Sequence, residues 1–309
     1  MNQGIKDWLL EGPEWLKYAV KTQLLNMKAD IQPVLADPDI IQLIHRLKDP
    51  DHGILAIPGG SVYADDYENP YWDLFFLADI GLKASQLGLE NEIEAFLNRQ
   101  SSDGTYITEY GMEPSYFCKS AIILSSIARL GYQDDPHIKK CINLFIKSRR
   151  LDGGWYCNPN HDIGASQQYE PSCPQENLNI LLLLGQYEEF RNDPRFNGAI
   201  DLLLKHWEAR GTGLQIVYFG VGSRYQSLQY PATRYGILRV LDAISLYPYA
   251  LKKASFHNML EFVHRKGRDG KYSPQTSTPY TELTRDGQYS RLLTFLVELI
   301  DKRAADRIL

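Results

Sequence analysis

Two kinds of helical pattern alternate along this chain. In the first kind, apolar residues recur every three or four positions and leave a polar face. Such stretches run over Pro13–Met27 (Leu16, Ala19/Val20, Leu24), Pro38–Leu47, Asn91–Asn98, Asp135–Arg149 (Ile138, Ile142 and Phe145 against Lys139, Lys140, Asn143 and Lys147), Asn197–Ala209 (Ile200, Leu203/Leu204, Trp207) and Ala254–His264 (Phe256, Met259/Leu260, Val263). In the second kind, apolar residues fall almost all round the helix, which implies burial on every side. Tyr71–Leu87, Pro114–Leu130 and Gln175–Gln186 read in this way, and Ala232–Tyr247 and Ser290–Lys302 continue the order. An outer ring of amphipathic helices around an inner ring of apolar ones accounts for the alternation. The expected architecture is a single all-α domain over 1–309, an (α/α) toroid of about five to six helical hairpins that the first helix helps to close, since no period-2 run is long enough to argue for a sheet.

A turn motif punctuates the pattern. Phe96-Leu97-Asn98-Arg99-Gln100-Ser101-Ser102-Asp103-Gly104-Thr105-Tyr106, Phe145 to Trp155 and Phe262 to Tyr272 share an apolar run, basic residues, Asp-Gly and an aromatic, and weaker copies surround Gly53 and Gly213. The marks are about 50 to 60 residues apart, a spacing typical of repeat architectures. Each copy reads as a helix C-terminus: basic side chains oppose the negative end of the dipole, glycine takes a positive φ that stops the helix, and the aromatic packs back on the turn.

Composition narrows the function classes. A net charge of −5 and a pI near 5.8 give no basic footprint, so nucleic acid is not an expected partner. Four cysteines in 309 residues, Cys118, Cys141, Cys157 and Cys173, are too few for a disulfide framework and fit reduced thiols. Met1–Trp15 carries Asp7, Glu11 and Glu14 and no signal-peptide pattern, and the longest apolar run lies within Leu178–Leu184, so the expectation is a cytoplasmic protein with no transmembrane segment. The 20 tyrosines supply many amphipathic rings to set around a cavity.

With its turns at Gln100–Tyr106 and Arg149–Trp155, where arginine stands for glutamine, the chain resembles the prenyltransferase and squalene-cyclase repeat superfamily, whose turns follow a QxxDGxW pattern. Pro114–Leu124 is similar to the start of that superfamily's inner helix. The order of Trp8-Leu9-Leu10-Glu11, Tyr71-Trp72-Asp73-Leu74, Asp152–Cys157, Tyr230–Tyr235 and Tyr280-Thr281-Glu282 resembles its short, stand-alone prokaryotic members, whose role is generally unassigned. The resemblance implies the toroid, a central aromatic-lined cavity, an apolar or isoprenoid small molecule as partner, and transferase or cyclase chemistry. Class II cyclases of the superfamily protonate their substrate with a DxDD motif. That motif is absent, since Asp134-Asp135 runs into Pro136-His137 and Asp37-Pro38-Asp39 lacks the further aspartate. The protein prenyltransferases hold a zinc with Asp, Cys and His, and here an Asp-x-Cys pair is also missing.

Three constellations carry candidate chemistry. Cys157, His161 and Cys173 have donor atoms suited to zinc, with Asp152 or water as the fourth ligand; two buried thiols and a loop histidine are the structural alternative. Asp65-Asp66-Tyr67-Glu68 is compared with a diphosphate–magnesium clamp, or is a solvated acidic loop. Near the starts of the inner helices stand Asp73, Glu176, Arg234 and Glu282, interleaved with Trp72, Tyr116, Tyr169, Tyr230, Tyr235 and Tyr289. In a toroid these converge at one mouth of the cavity, with Asp73, Glu176 and Glu282 as candidate catalytic carboxylates and the rest as ligand contacts; as isolated residues they are helix caps and packing tyrosines. Two rival functions remain: a carbohydrate-active (α/α)-barrel enzyme using paired carboxylates such as Asp73 and Glu282, and a non-catalytic binding or interaction scaffold. No Gly-rich phosphate loop or GxSxG elbow occurs, and His45, His137, His206, His257 and His264 fall on outer helices or their ends.

Overall fold

Several helices begin in the same way, with a capping residue followed by proline. Asp37, Asn69 and Asp135 each accept a hydrogen bond from the backbone N–H two residues on, while Pro38, Pro70 and Pro136 occupy a first-turn position that has no use for an N–H. The computed structural model describes residues 1–59, 67, 69–106, 117–156, 171–232 and 235–306. Its first half contains α1 (Gln3–Leu10), α2 (Glu14–Ala19, continued as a π-helical turn over Val20–Leu24), α3 (Gln32–Leu35), α4 (Pro38–Leu47), α5 (Pro70–Asp79), α6 (Ala84–Leu87), α7 (Glu90–Leu97), α8 (Phe117–Ile127, with a π-helical turn over Ala128–Tyr132) and α9 (Pro136–Lys147). The second half contains α10 (Pro174–Leu184), α11 (Glu188–Arg191), α12 (Asn197–Glu208), α13 (Ile237–Ile244), α14 (Pro248–Leu251), α15 (Ala254–His264), α16 (Pro279–Glu282) and α17 (Arg291–Asp306). The protein is mostly helical, and among the described residues no helix is long and apolar enough to cross a membrane.

Burial follows the two sequence patterns. Every residue of α10, and of α5 from Tyr71 on, is buried, whereas α4, α7 and α9 each bury one stripe: Ile40, Leu43 and Leu47; Ile93, Phe96 and Leu97; Ile138, Cys141, Ile142 and Phe145. The apolar helices touch one another in series, α5 with α8, α8 with α10, α10 with α13, α13 with α17, and α17 with the π-helical turn after α2. That turn meets α5 through Gln23, and Trp15 of α2 sets its ring edge-on to Phe76 at 4.9 Å. The striped helices lie against them, α4 on α5, α9 on α8, α12 on α10 and α15 on α13.

The C-terminal ends of this series are tied to one another by side-chain donors. Lys302 reaches the carbonyl of Gln23 at 2.7 Å, Gln23 that of Asp79 at 2.9 Å, and Lys83 that of Arg129 at 2.6 Å. Gln133 reaches the carbonyl of Gln186 at 3.3 Å, and Arg303 that of Asp242 at 3.3 Å. Carbonyls that the helices leave unpaired are thus capped from a neighbouring element, and the cations oppose the negative ends of the dipoles.

The repeated turn has a consistent geometry. After α7 the chain closes a turn in which Gly104 N–H donates to Ser101 O, and after α9 a turn in which Gly153 N–H donates to Arg150 O. Tyr106 and Trp155 then return to the core and donate to the carbonyls of Leu97 and Phe145 near the preceding helix ends, at 3.3 and 2.7 Å. Their own backbone N–H groups go to the next apolar helix, to Ser120 Oγ (3.1 Å) and Asn177 Oδ1 (2.9 Å), and Tyr272 does the same to Thr294 Oγ1 (3.2 Å). The turn is therefore a three-way joint between a striped helix, the turn itself and the next apolar helix.

Several expectations need correction. The glycine does not stop the preceding helix: α9 ends at Lys147, capped by Ser148, and Gly153 (φ 90°) lies in the separate turn beyond. Gly53 does not have a positive φ, so its copy of the motif is not equivalent. The expected helix Tyr71–Leu87 breaks at Ile80, because Gly81 adopts φ 85°, and resumes only as the short α6. Two small antiparallel ladders, Gln215–Ile216 with Phe219–Gly220 and Arg285–Asp286 with Tyr289–Ser290, also occur where no sheet was expected.

Candidate functional site

At the N-terminal half of α5 the sequence Tyr-Trp-Asp-Leu-Phe-Phe has no solvent face, and its side chains divide between two environments. Asp73 turns toward α4. It accepts from Arg46 Nε at 2.8 Å and from a second Arg46 nitrogen, and from the Tyr280 hydroxyl at 2.7 Å. Burial pushes the Asp73 carboxyl above the usual carboxylate range, against the pull of Arg46 and Tyr280. Trp72 and Phe75 turn instead toward α13, where the Arg239 guanidinium lies 5.9 and 5.6 Å from their ring centres. Arg239 is 4% exposed and donates to Asn179 Oδ1 of α10 at 2.6 Å and to the carbonyl of Ala232 at 3.1 Å.

Helix α10 opposite is polar where it begins and apolar where it ends. Gln175, Glu176, Asn177 and Asn179 are all buried, whereas Ile180 to Leu184 form an unbroken apolar run. Asn177 serves the turn at Trp155, while Gln175 and Asn179 are hydrogen-bonded to each other at 3.4 Å beside Arg239. Among the described residues, three buried polar atoms in this region, Trp72 Nε1, Gln175 Oε1 and Asn177 Nδ2, have no hydrogen-bond partner. Burying such atoms costs roughly 1–3 kcal/mol each unless something pairs with them.

Toward the opposite end the interior closes. Phe75, Tyr230, Leu238, Leu296 and Ile300 surround a space of about 20 Å³ below Arg239, room for a water molecule and no more. Phe75 has a second cation beside it, since Arg129 lies 4.9 Å from its ring centre. Arg129 pairs with Asp79, which also accepts from the Tyr230 hydroxyl at 2.6 Å. Burial holds the Asp79 carboxyl above its ordinary range, opposed chiefly by Arg129.

The remaining candidates are scattered. Glu282 lies on the surface of α16, bound to Ser277 and to Arg285 Nη1 at 2.6 Å, and both contacts hold its carboxyl below the usual range. It does not face Asp73. Tyr230 joins Phe75, Phe76 and Tyr280 in an aromatic cluster with ring separations of 5.5 to 6.3 Å. Tyr235 belongs to a different pocket, stacked on His206 at 5.4 Å and packed on Tyr225 at 4.8 Å. Tyr289 sits in the last hairpin near Lys271. Cys173 caps α10 and donates its backbone N–H to the carbonyl of Trp155 at 2.8 Å. Tyr116, Cys157, His161, Tyr169 and Arg234 lie outside the described residues, as do Asp65, Asp66 and Glu68. Among the described residues no group of three or more His, Cys, Asp or Glu side chains is placed to hold a metal ion.

Arg239 was not among the candidates, although a lone arginine within Ile237-Leu238-Arg239-Val240-Leu241 is a legible signal, because a charge in an apolar helix must find partners. Arg46, Asp79, Arg129 and Tyr280 were also missed. No protein-family model and no curated protein matches the chain at a significant level.

Proposed function

We propose that α2, α5, α8, α10, α13 and α17 are the inner helices of an (α/α) toroid of the prenyltransferase and squalene-cyclase type, and that a chamber at their N-terminal ends binds an apolar or isoprenoid-type small molecule carrying a polar head. The observation that carries this reading is the buried polar set Gln175, Asn179 and Arg239 set against Trp72 and Phe75, where α10 and α13, otherwise rich in leucine and isoleucine, turn polar. A core made only for stability would place aliphatic side chains there. Arg239 forms the floor of the chamber, the aromatic faces of Trp72 and Phe75 form a wall, and Trp72 Nε1 and Gln175 Oε1 are the donor and acceptor offered to the head group.

Binding is favoured over proton-initiated cyclisation. Asp73, the candidate acid of α5, is committed to Arg46 and Tyr280, and Glu282 is on the surface, so neither stands opposed to the other or over the Trp72 face. The same observation weighs against a paired-carboxylate sugar hydrolase. A second reading, a non-catalytic interaction scaffold, is favoured by the filled lower axis below Arg239.

The test is a titration of the purified full chain with farnesol and geranylgeraniol, followed by tryptophan fluorescence and native mass spectrometry. Saturable 1:1 binding is expected, weakened at least about tenfold in Arg239→Met and less in Trp72→Phe, with far-UV circular dichroism unchanged. Absence of saturable binding of either alcohol overturns the isoprenoid assignment. Saturable binding that both variants leave untouched overturns this site.

A further inference from the structure

Beyond the narrow space under Arg239, the C-terminal ends of the inner-helix series surround an open pit of about 310 Å³. Helix C-termini ordinarily repel anions, because their carbonyls carry the negative end of the dipole. Here those facing the pit are already occupied: Gln23 caps Asp79 O, Lys83 caps Arg129 O, Gln133 caps Gln186 O and Arg303 caps Asp242 O. A solute entering the pit therefore meets the side chains that do the capping.

Those side chains are rich in donors. Gln23, Lys83, Arg129, Gln133, Gln186 and Arg303 line the wall, against two carboxylates, Asp79 and Asp242. Asp79 is occupied by Arg129 and the Tyr230 hydroxyl, and Asp242 by Arg303 at 2.6 Å. Three cations against two anions leave the lining with one net positive charge, in a chain whose net charge is −5. Arg129 adds a specific feature. Its Nη1 goes to Asp79 and its Nε to the carbonyl of Ser125 at 3.3 Å, while Nη2 is buried with no acceptor among the described residues. Arg129 therefore adds positive charge from behind the wall, while Lys83, which spends one N–H on the carbonyl of Arg129, and Arg303, whose contacts all run through Nη1, keep donors for an oxygen from outside.

We infer that this pit is a second binding site, taking the oxyanion group of a small molecule, a carboxylate or a phosphate, on Lys83 and Arg303. Leu296, Leu299 and Ala78 form the apolar part of its wall, so an aliphatic portion next to the anionic group is accommodated. The site is separated from the proposed chamber by Arg239 and the narrow space beneath it, and it does not depend on that chamber's ligand.

Isothermal titration of the full chain with inorganic phosphate and with succinate tests the inference. Saturable binding of at least one anion is expected, reduced at least about tenfold in Lys83→Gln and in Arg303→Gln, and largely kept in Arg303→Lys, because the charge-assisted hydrogen bonds survive only in the last. Lys139→Gln on the exposed face of α9 leaves it unchanged. Preference for phosphate assigns a phosphorylated ligand, and preference for succinate a carboxylate. No saturable binding of either anion, or equal binding by the parent, Lys83→Gln and Arg303→Gln proteins, overturns the site, with matched thermal unfolding curves showing that each variant is folded.

Discussion

Trp155 and Asn177 are joined by a 2.9 Å hydrogen bond from the tryptophan backbone N–H to Asn177 Oδ1, across 22 residues, while the indole N–H of the same tryptophan holds the carbonyl of Phe145 at 2.7 Å. One residue thus fastens α9 to α10. Gly154 makes the approach possible, since a Cβ there would meet Asn177 Oδ1 at 2.5 Å and Ser172 Cβ at 2.7 Å. Asn177→Ala leaves a buried N–H unpaired, and a loss of about 1–3 kcal/mol is expected by denaturant unfolding. Gly154→Ala is expected to destabilise as well, and an Asn177→Ala background should relieve part of its cost; strictly additive losses would count against the joint.

Gly153 and Gly287 separate backbone strain from crowding. Both have positive φ, but a Cβ on Gly153 would lie 2.8 Å from Gly198 Cα, while one on Gly287 has open space. Gly287→Ala is expected to cost about 1–2 kcal/mol, from the left-handed conformation alone. Gly153→Ala adds a backbone clash worth roughly 1–3 kcal/mol more. Equal losses in the two variants, measured by urea unfolding, would contradict the packing of the turn on α12.

The pair Asp79 and Arg129 lends itself to a double-mutant cycle. Asp79→Leu strands a buried guanidinium and is expected to lose about 3–5 kcal/mol, whereas Asp79→Leu with Arg129→Met should recover much of it. If the double variant loses the sum of the single losses, the ion pair does not couple α5 to α8.

His206 gives the protein a pH dependence of definite sign. It is 1% exposed, and burial lowers its pKa to about 4, below the model-peptide value of 6.5. The unfolded chain therefore binds more protons than the folded one between these values, so the contribution of neutral His206 is present above pH 6.5 and lost as pH falls toward 4, by up to about 3 kcal/mol. His264 works in the opposite direction, because its hydrogen bond to Asp301 raises its pKa and its contribution is lost as pH rises. Comparing the parent with His206→Gln over pH 4 to 7 isolates the buried histidine. A parallel pair of stability curves would mean that His206 does not titrate differently in the two states.

The sequence by itself determined the alternation of striped and all-apolar helices, because burial follows directly from which positions repeat every 3.6 residues, and α9, α10, α12 and α15 lie within a few residues of their expected limits. It also marked the repeated turns at Tyr106, Trp155 and Tyr272, since Asp-Gly and an aromatic are local signals. What each turn does was not local. Only the tertiary structure decided that the aromatic residue binds both a preceding and a following helix, that Asp73 is spent on Arg46 and Tyr280, and that Glu282 faces solvent. Tyr280 is 207 residues from Asp73 and Tyr230 is 151 residues from Asp79, separations over which no periodicity carries information. The direction of a polar side chain on a helix buried all round is set by whichever neighbour offers a partner, and that neighbour is chosen by the packing of the whole chain.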